Sequence, residues 1–207
     1  MFWMRNKAKK KDGARIKYII AGLGNPGRKY LFNRHNAGFL ALDYISEKCG
    51  FQINTNKFKS FCARYTAGED TEKFDVLFMK PQTYMNDSGA AVSEAAKFYK
   101  IPPENILVIS DDINLSAGKL RMRKSGSDGG QKGLRSIAEH LSSQDFPRIR
   151  IGVGQKPNPD QDAAQWVLSD FSKDDKKIMF EAFSDVFECV DMFMREVPIE
   201  MIQNKYN

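Results

Sequence analysis

A single α/β domain is the fold class that these 207 residues predict, on three observations. The apolar pattern switches repeatedly between alternating, strand-like runs and three-four-spaced, helix-like runs, as it does when strands and helices alternate along a chain. Apolar residues make up 42% of the sequence, enough for one core at this length, and no internal repeat or long linker divides it. The stretches richest in Gly, Pro, Ser and Asp fall at 22–28, 80–89, 111–118, 125–133 and 154–163. Most begin just after a strand candidate, so in an open sheet several gather at the carboxyl edge, where such folds place their sites.

Taken in order, residues 18–22 form the first strand and run into the glycine-rich AGLGNPG. A helix over 36–49 sets Phe39, Leu42, Tyr44 and Ile45 near one side, and Gly50 supplies its stop. Strands follow at 61–67 and 75–79, then an Ala-rich helix at 88–99 that ends before Pro102-Pro103. Strands at 106–110, 119–123 and 148–153 enclose a helix at 133–141 with Leu134, Ile137, Ala138 and Leu141 in register. A long helix over 173–196 closes the pattern, striping Met179, Phe183, Val186, Val190 and Phe193 against acids, and that stripe reads as core packing.

The formal charge of +6 is unevenly placed. Residues 1–17 hold seven Lys/Arg and one Asp, and the remaining 190 hold 25 basic and 25 acidic residues. The head therefore accounts for the whole excess, and only local clusters inform on the folded body. One such cluster spans 119–135, with six cations against the single Asp128. The expected organisation is a basic, solvated tail over 1–16 and a folded domain over 17–207. The head lacks the apolar core of a secretory signal, and no apolar run approaches the length of a membrane span. Cys49, Cys62 and Cys189 are widely spaced and odd in number, which points to free thiols and a cytoplasmic location.

The loop AGLGNPG formally satisfies GxGxxG, but Pro26 interrupts it and no second strand ending in an acid follows within about 20 residues. The glycines instead shape a tight turn that presents Asn25. With only two histidines, a multi-imidazole metal site is excluded. His140, at the end of a helical pattern, reads as an ordinary exposed residue. His35 stands in YLFNRHNAG, at a helix start directly after the Gly-rich loop, and the Asp111-Asp112 pair stands at the end of the apolar run ILVIS. No GxSxG elbow is present and no cysteine stands beside a histidine. A His with an orienting Asp and no protein nucleophile suggests direct attack by water, with ester hydrolysis as the economical reaction.

Six segments, GLGNPGRKY, NRHNAGF, MKPQTYMNDSG, VISDDINL, GKLRMRKSGSDGGQKGLRSI and FPRIRIGVG, resemble in this order the bacterial peptidyl-tRNA hydrolases, over about residues 17–196. The resemblance implies a single α/β domain with a mixed twisted sheet flanked by helices, a monomer without metal or cofactor, and cleavage of the ester that joins a peptide to the terminal ribose of tRNA. It implies His35 as general base and Asp111 as the carboxylate that holds the imidazole. Asn25 and Asn86 then orient the peptide and the attacking water. Tyr30, Tyr84 and Met85 line the cleft, and Arg121, Arg123 and Arg150 face the acceptor stem or CCA end. The chain reads Gly129-Gly130-Gln131-Lys132-Gly133 where the family usually reads GGHNG. Lys132 keeps hydrogen-bond donors for the substrate but lacks an acceptor and adds a charge. A related group with this fold assists intron splicing, so a non-hydrolytic RNA binder is the second reading. A serine or cysteine esterase is the third, and the missing nucleophile motif counts against it.

Overall fold

The structure, a computed structural model, describes residues 15–68, 72–158 and 160–207. The tail expected at 1–16 lies outside the described residues except at its end. There β1 (Ile16–Gly22) starts two residues earlier than the sequence suggests, because Ile16 is buried against the core and belongs to the folded body.

Among the described residues, seven strands form one mixed sheet in the order β2-β3-β4-β1-β5-β7-β6. They are β1, β2 (Thr55–Lys57), β3 (Ser60–Ala67), β4 (Phe74–Pro81), β5 (Ile106–Asp112), β6 (Leu120–Arg123) and β7 (Arg148–Gly152). The central strands β4, β1, β5 and β7 are parallel. Antiparallel strands flank them, β3 and β2 at one side and β6 at the other. All six strands expected from the sequence are present, and the exposed three-residue β2 is added.

Alternation along the central strands feeds two cores. Val76, Phe78, Leu107 and Ile109 point to one face, where α1 (Ala37–Cys49), α5 (Lys173–Met194) and α6 (Ile199–Tyr206) cover them. Leu77, Met79, Ile106 and Val108 point to the other, beneath α2 (Ser88–Tyr99) and α3 (Lys132–Leu141). The Met179, Phe183, Val186, Val190 and Phe193 stripe is buried, as core packing requires. Two short helices carry no strong periodic signal in the sequence, α4 (Ala163–Val167) and α6. The second guards an open edge: the Met122 N–H of β6 donates to Asn207 Oδ1 at 2.6 Å, and Gln203 Nε2 donates to the Met122 carbonyl at 3.1 Å.

One close approach positions the site. A Cβ on Gly38 would lie 2.4 Å from the Ile109 carbonyl, and one on Gly22 would lie 2.4 Å from the Gly38 carbonyl. Only hydrogen at both positions lets the first turn of α1 press onto the ends of β1 and β5. The residues just before α1 are thereby carried to the carboxyl edge of β5.

Candidate active site

His35 occupies the single helical turn Arg34–Asn36 immediately before α1, and Asp111 is the penultimate residue of β5. The approach of α1 to β5 brings His35 Nδ1 to 2.9 Å from Asp111 Oδ2. The Asp111 side chain is 3% exposed and that of His35 is 14% exposed. A buried carboxylate can only accept, so Nδ1 carries the proton and Nε2 is left as the basic nitrogen.

The other oxygen of Asp111 is also occupied. Gln131 Nε2 donates to Asp111 Oδ1 at 3.0 Å and to Met85 Sδ at 3.1 Å. Its Oε1 accepts the Leu134 N–H at 2.9 Å, which caps α3. The sequence marks Gln131 only as a departure from GGHNG, and the structure makes it a direct partner of the acid.

Asn25 is oriented by its neighbours. Its Oδ1 accepts the Met85 N–H at 2.9 Å, so its amide NH₂ is the end that remains to donate. Asn36 holds its backbone from both sides, accepting from Asn25 N at 2.8 Å and donating to Asn25 O at 3.1 Å. Nothing in the sequence except adjacency to His35 singles out Asn36. Arg34, buried on the other side of His35, donates to the Val153 and Asp170 carbonyls and to Asp175 Oδ2, and its guanidinium lies 3.9 Å from the Trp166 ring centroid. Burial pulls its pKa down while Asp175 and Asp170 pull it up, and the set of contacts ties the His35 turn to α4.

A cleft of about 570 Å³ opens over these groups. Asn25, His35 and Asp111 line it, together with Tyr84, Met85, Asn86, Gln131, Lys132 and Arg150. Ala163, Ala164, Val167 and Leu168 of α4 and its flank supply an apolar wall, in a stretch where the sequence carries no periodic signal.

The remaining expected residues divide. Tyr30 is half-buried in the turn Arg28–Tyr30, outside the lining of the cleft, with Lys29 Nζ 4.7 Å from its ring. Arg121 and Arg123 lie on the edge strand β6, likewise outside the cleft lining. Arg150 lines the cleft, but it is not a free cation: its Nε lies 3.0 Å from Asp112 Oδ2, a carboxylate only 2% exposed. That N–H is off the bond axis, so the pairing is electrostatic rather than a directed hydrogen bond. His140, as expected, is exposed, and among the described residues its ring bonds to its own helix, at Ser136 O.

Fold and site together define an α/β domain with an imidazole held by a buried carboxylate in a cleft at the carboxyl edge of the sheet. Residues 19–207 match the family model described as peptidyl-tRNA hydrolase. The chain is 46% identical over 191 residues to a peptidyl-tRNA hydrolase of Caldanaerobacter subterraneus subsp. tengcongensis, covering 92% of this chain and 99% of that one. It is 43% identical over 190 residues to the one from Caldicellulosiruptor saccharolyticus, with coverages of 92% and 96%. The crystal structure of the Acinetobacter baumannii peptidyl-tRNA hydrolase superposes with a TM-score of 0.81 at 32% identity, over 93% of this chain and 96% of that one. The chain belongs to the peptidyl-tRNA hydrolase family.

Proposed function

We propose that this protein cleaves the ester between peptide and tRNA in peptidyl-tRNA, with His35 as general base on water. The observation that carries the reading is the Asp111–His35 pair, which leaves Nε2 open to the cleft. Nε2 removes a proton as water attacks the ester carbonyl carbon. The tetrahedral intermediate then expels the ribose oxygen, which takes that proton back from the imidazolium, leaving a peptide acid and a free tRNA hydroxyl. Asp111 stabilises the imidazolium between the two steps. The Asn25 NH₂ and the exposed Asn86 amide supply donors for the peptide carbonyls and the water, and Tyr84, Met85 and the α4 wall supply apolar surface for the peptide.

The acceptor stem fits the β6–β7 ladder. Arg121 stands directly opposite Arg150, and Arg123 opposite Arg148, so four guanidinium groups share one region, with Asp112 beside Arg150 and Asp145 near Arg148. Like charges across a ladder repel, and a phosphate laid over them relieves that repulsion. Arg148 itself is buried and spent on the carbonyls of Phe146, Gly126, Ser127 and Gln144. Burial together with Arg150 pushes its pKa down to about 10. The exposed Arg123 and half-buried Arg121 are then the phosphate contacts, with Lys132 beside the CCA end. Cytoplasmic action as a monomer belongs to this reading. Among the described residues no helix is long and apolar enough to cross a membrane.

The test is ester release from N-acetylated aminoacyl-tRNA, with free aminoacyl-tRNA as control and EDTA present. Release from the blocked substrate alone is expected, and no release from either refutes the reading in favour of an RNA binder. Arg121→Ala and Arg123→Ala are expected to raise KM and to reduce the log–log salt slope by about 0.7 to 0.9 for each phosphate that is no longer neutralised.

A further inference from the structure

We infer that Gln131 is a positioning residue of the reaction, selecting which oxygen of Asp111 faces His35. The inference rests on the proposed role of the His35–Asp111 pair and adds to it a second, fixed partner.

A carboxylate with one partner can rotate and present either oxygen, or both partially. Asp111 is denied that freedom. Gln131 Nε2 holds Oδ1 at 3.0 Å, and Oδ2 is left to accept from the imidazole at 2.9 Å. The amide is itself over-determined. Its oxygen is claimed by the Leu134 N–H and its nitrogen by Asp111 and the Met85 sulfur, so the two ends of Gln131 have one consistent assignment. Its backbone is tied as well, the Gln131 N–H donating to the Asp128 carbonyl at 3.1 Å. Gln131 is 7% exposed at the wall of the cleft, which limits competition from water for these bonds.

The same residue therefore caps α3 and aims the acid, and through Met85 it reaches Asn25, whose Oδ1 holds the Met85 N–H. An amide does not titrate. The titratable or charged groups that line the cleft with Asp111 are His35, Tyr84, Asp112, Arg150 and Lys132, and none of them donates to Oδ1. A neutral donor there leaves the negative charge of Asp111 to His35.

Two substitutions separate aiming from capping. Gln131→Glu keeps an oxygen for the Leu134 N–H but, once ionised, removes the donor to Asp111. Gln131→Met keeps length and removes both functions. Steady-state kinetics on N-acetylated aminoacyl-tRNA across pH, together with nitrogen NMR of the His35 tautomer in substrate-free protein, read the result. Both variants are expected to lose kcat about ten- to a hundredfold, the range of one hydrogen bond to a charged group, with KM little changed. In Gln131→Glu the loss is expected to deepen as pH rises and the new carboxyl ionises, and both variants should show a mixed His35 tautomer. If Gln131→Met alone loses activity in proportion to stability while Gln131→Glu keeps native kcat, pH profile and tautomer, Gln131 is a cap only and the inference is overturned. Because the tautomer is measured without substrate, a protein inactive on the tRNA ester but with a tautomer that responds to Gln131 overturns the proposed function and leaves the positioning intact.

Discussion

Asp111→Asn is the most informative single change, because it removes one acceptor without changing shape. Both oxygens of Asp111 accept, one from His35 Nδ1 and one from Gln131 Nε2. An asparagine offers one acceptor and one NH₂. With the NH₂ toward Gln131, two donors face each other in a buried site, a conflict that costs about 1–3 kcal/mol for the unsatisfied group. With the NH₂ toward His35, the imidazole answers by moving its proton from Nδ1 to Nε2. The second arrangement leaves no buried conflict and is the expected one, but it places a proton on the nitrogen that must act as base. The fold should survive with a loss of at most about 3 kcal/mol, while kcat falls by about 10²–10⁴-fold and KM barely moves. Urea denaturation, kinetics of ester release and the NMR tautomer of His35 measure the three quantities. A folded Asp111→Asn protein with native kcat would refute both the tautomer argument and the role of His35.

Three further outcomes follow from the geometry. Arg150→Ala strips the counter-charge from buried Asp112, whose Oδ1 already accepts the Asn114 N–H, and should cost about 3–5 kcal/mol in thermal or urea denaturation; an unchanged midpoint would return Arg150 to the role of a free RNA contact. Gly38→Ala drives a methyl group into the Ile109 carbonyl and should cost at least about 1–3 kcal/mol while lowering kcat by shifting the His35 turn, so a variant with native stability and turnover contradicts the packing described. Hydrogen bonds from Lys17 and then Tyr18 hold the Glu196 carboxyl below its usual range. A depressed carboxylate stabilises the fold above its unfolded pKa, and that contribution is lost as pH falls through the folded value. The side chain is 66% exposed, so Glu196→Gln should cost less than about 1 kcal/mol near neutrality and nothing in strong acid, read from urea midpoints at the two pH values.

Sequence alone determined the α/β class, the six longer strands and the four longer helices, and it put His35 and the Asp111-Asp112 pair at element ends, with Asp111 assigned to His35 by the resemblance. These are local properties: apolar period is set residue by residue, and His35 and Asp111 sit at ends of elements that any open sheet gathers on one edge. Only the tertiary structure decided which polar groups meet. Arg150 pairs in register with Ser110, and Asp112, two residues on, therefore shares its face; an arginine that reads as a phosphate contact becomes the partner of a buried acid. Gln131 and Asp111 lie 20 residues apart with no periodicity linking them, and their bond exists because the α3 cap is set against the end of β5. Tyr30 belongs to a family-like motif yet is not among the residues that line the cleft, because its place is set by the short turn Arg28–Tyr30 and not by side-chain chemistry. The short elements β2, α4 and α6 are silent in the sequence for a related reason: three to eight residues hold too little period to stand out, and what makes them form is the surface they pack against.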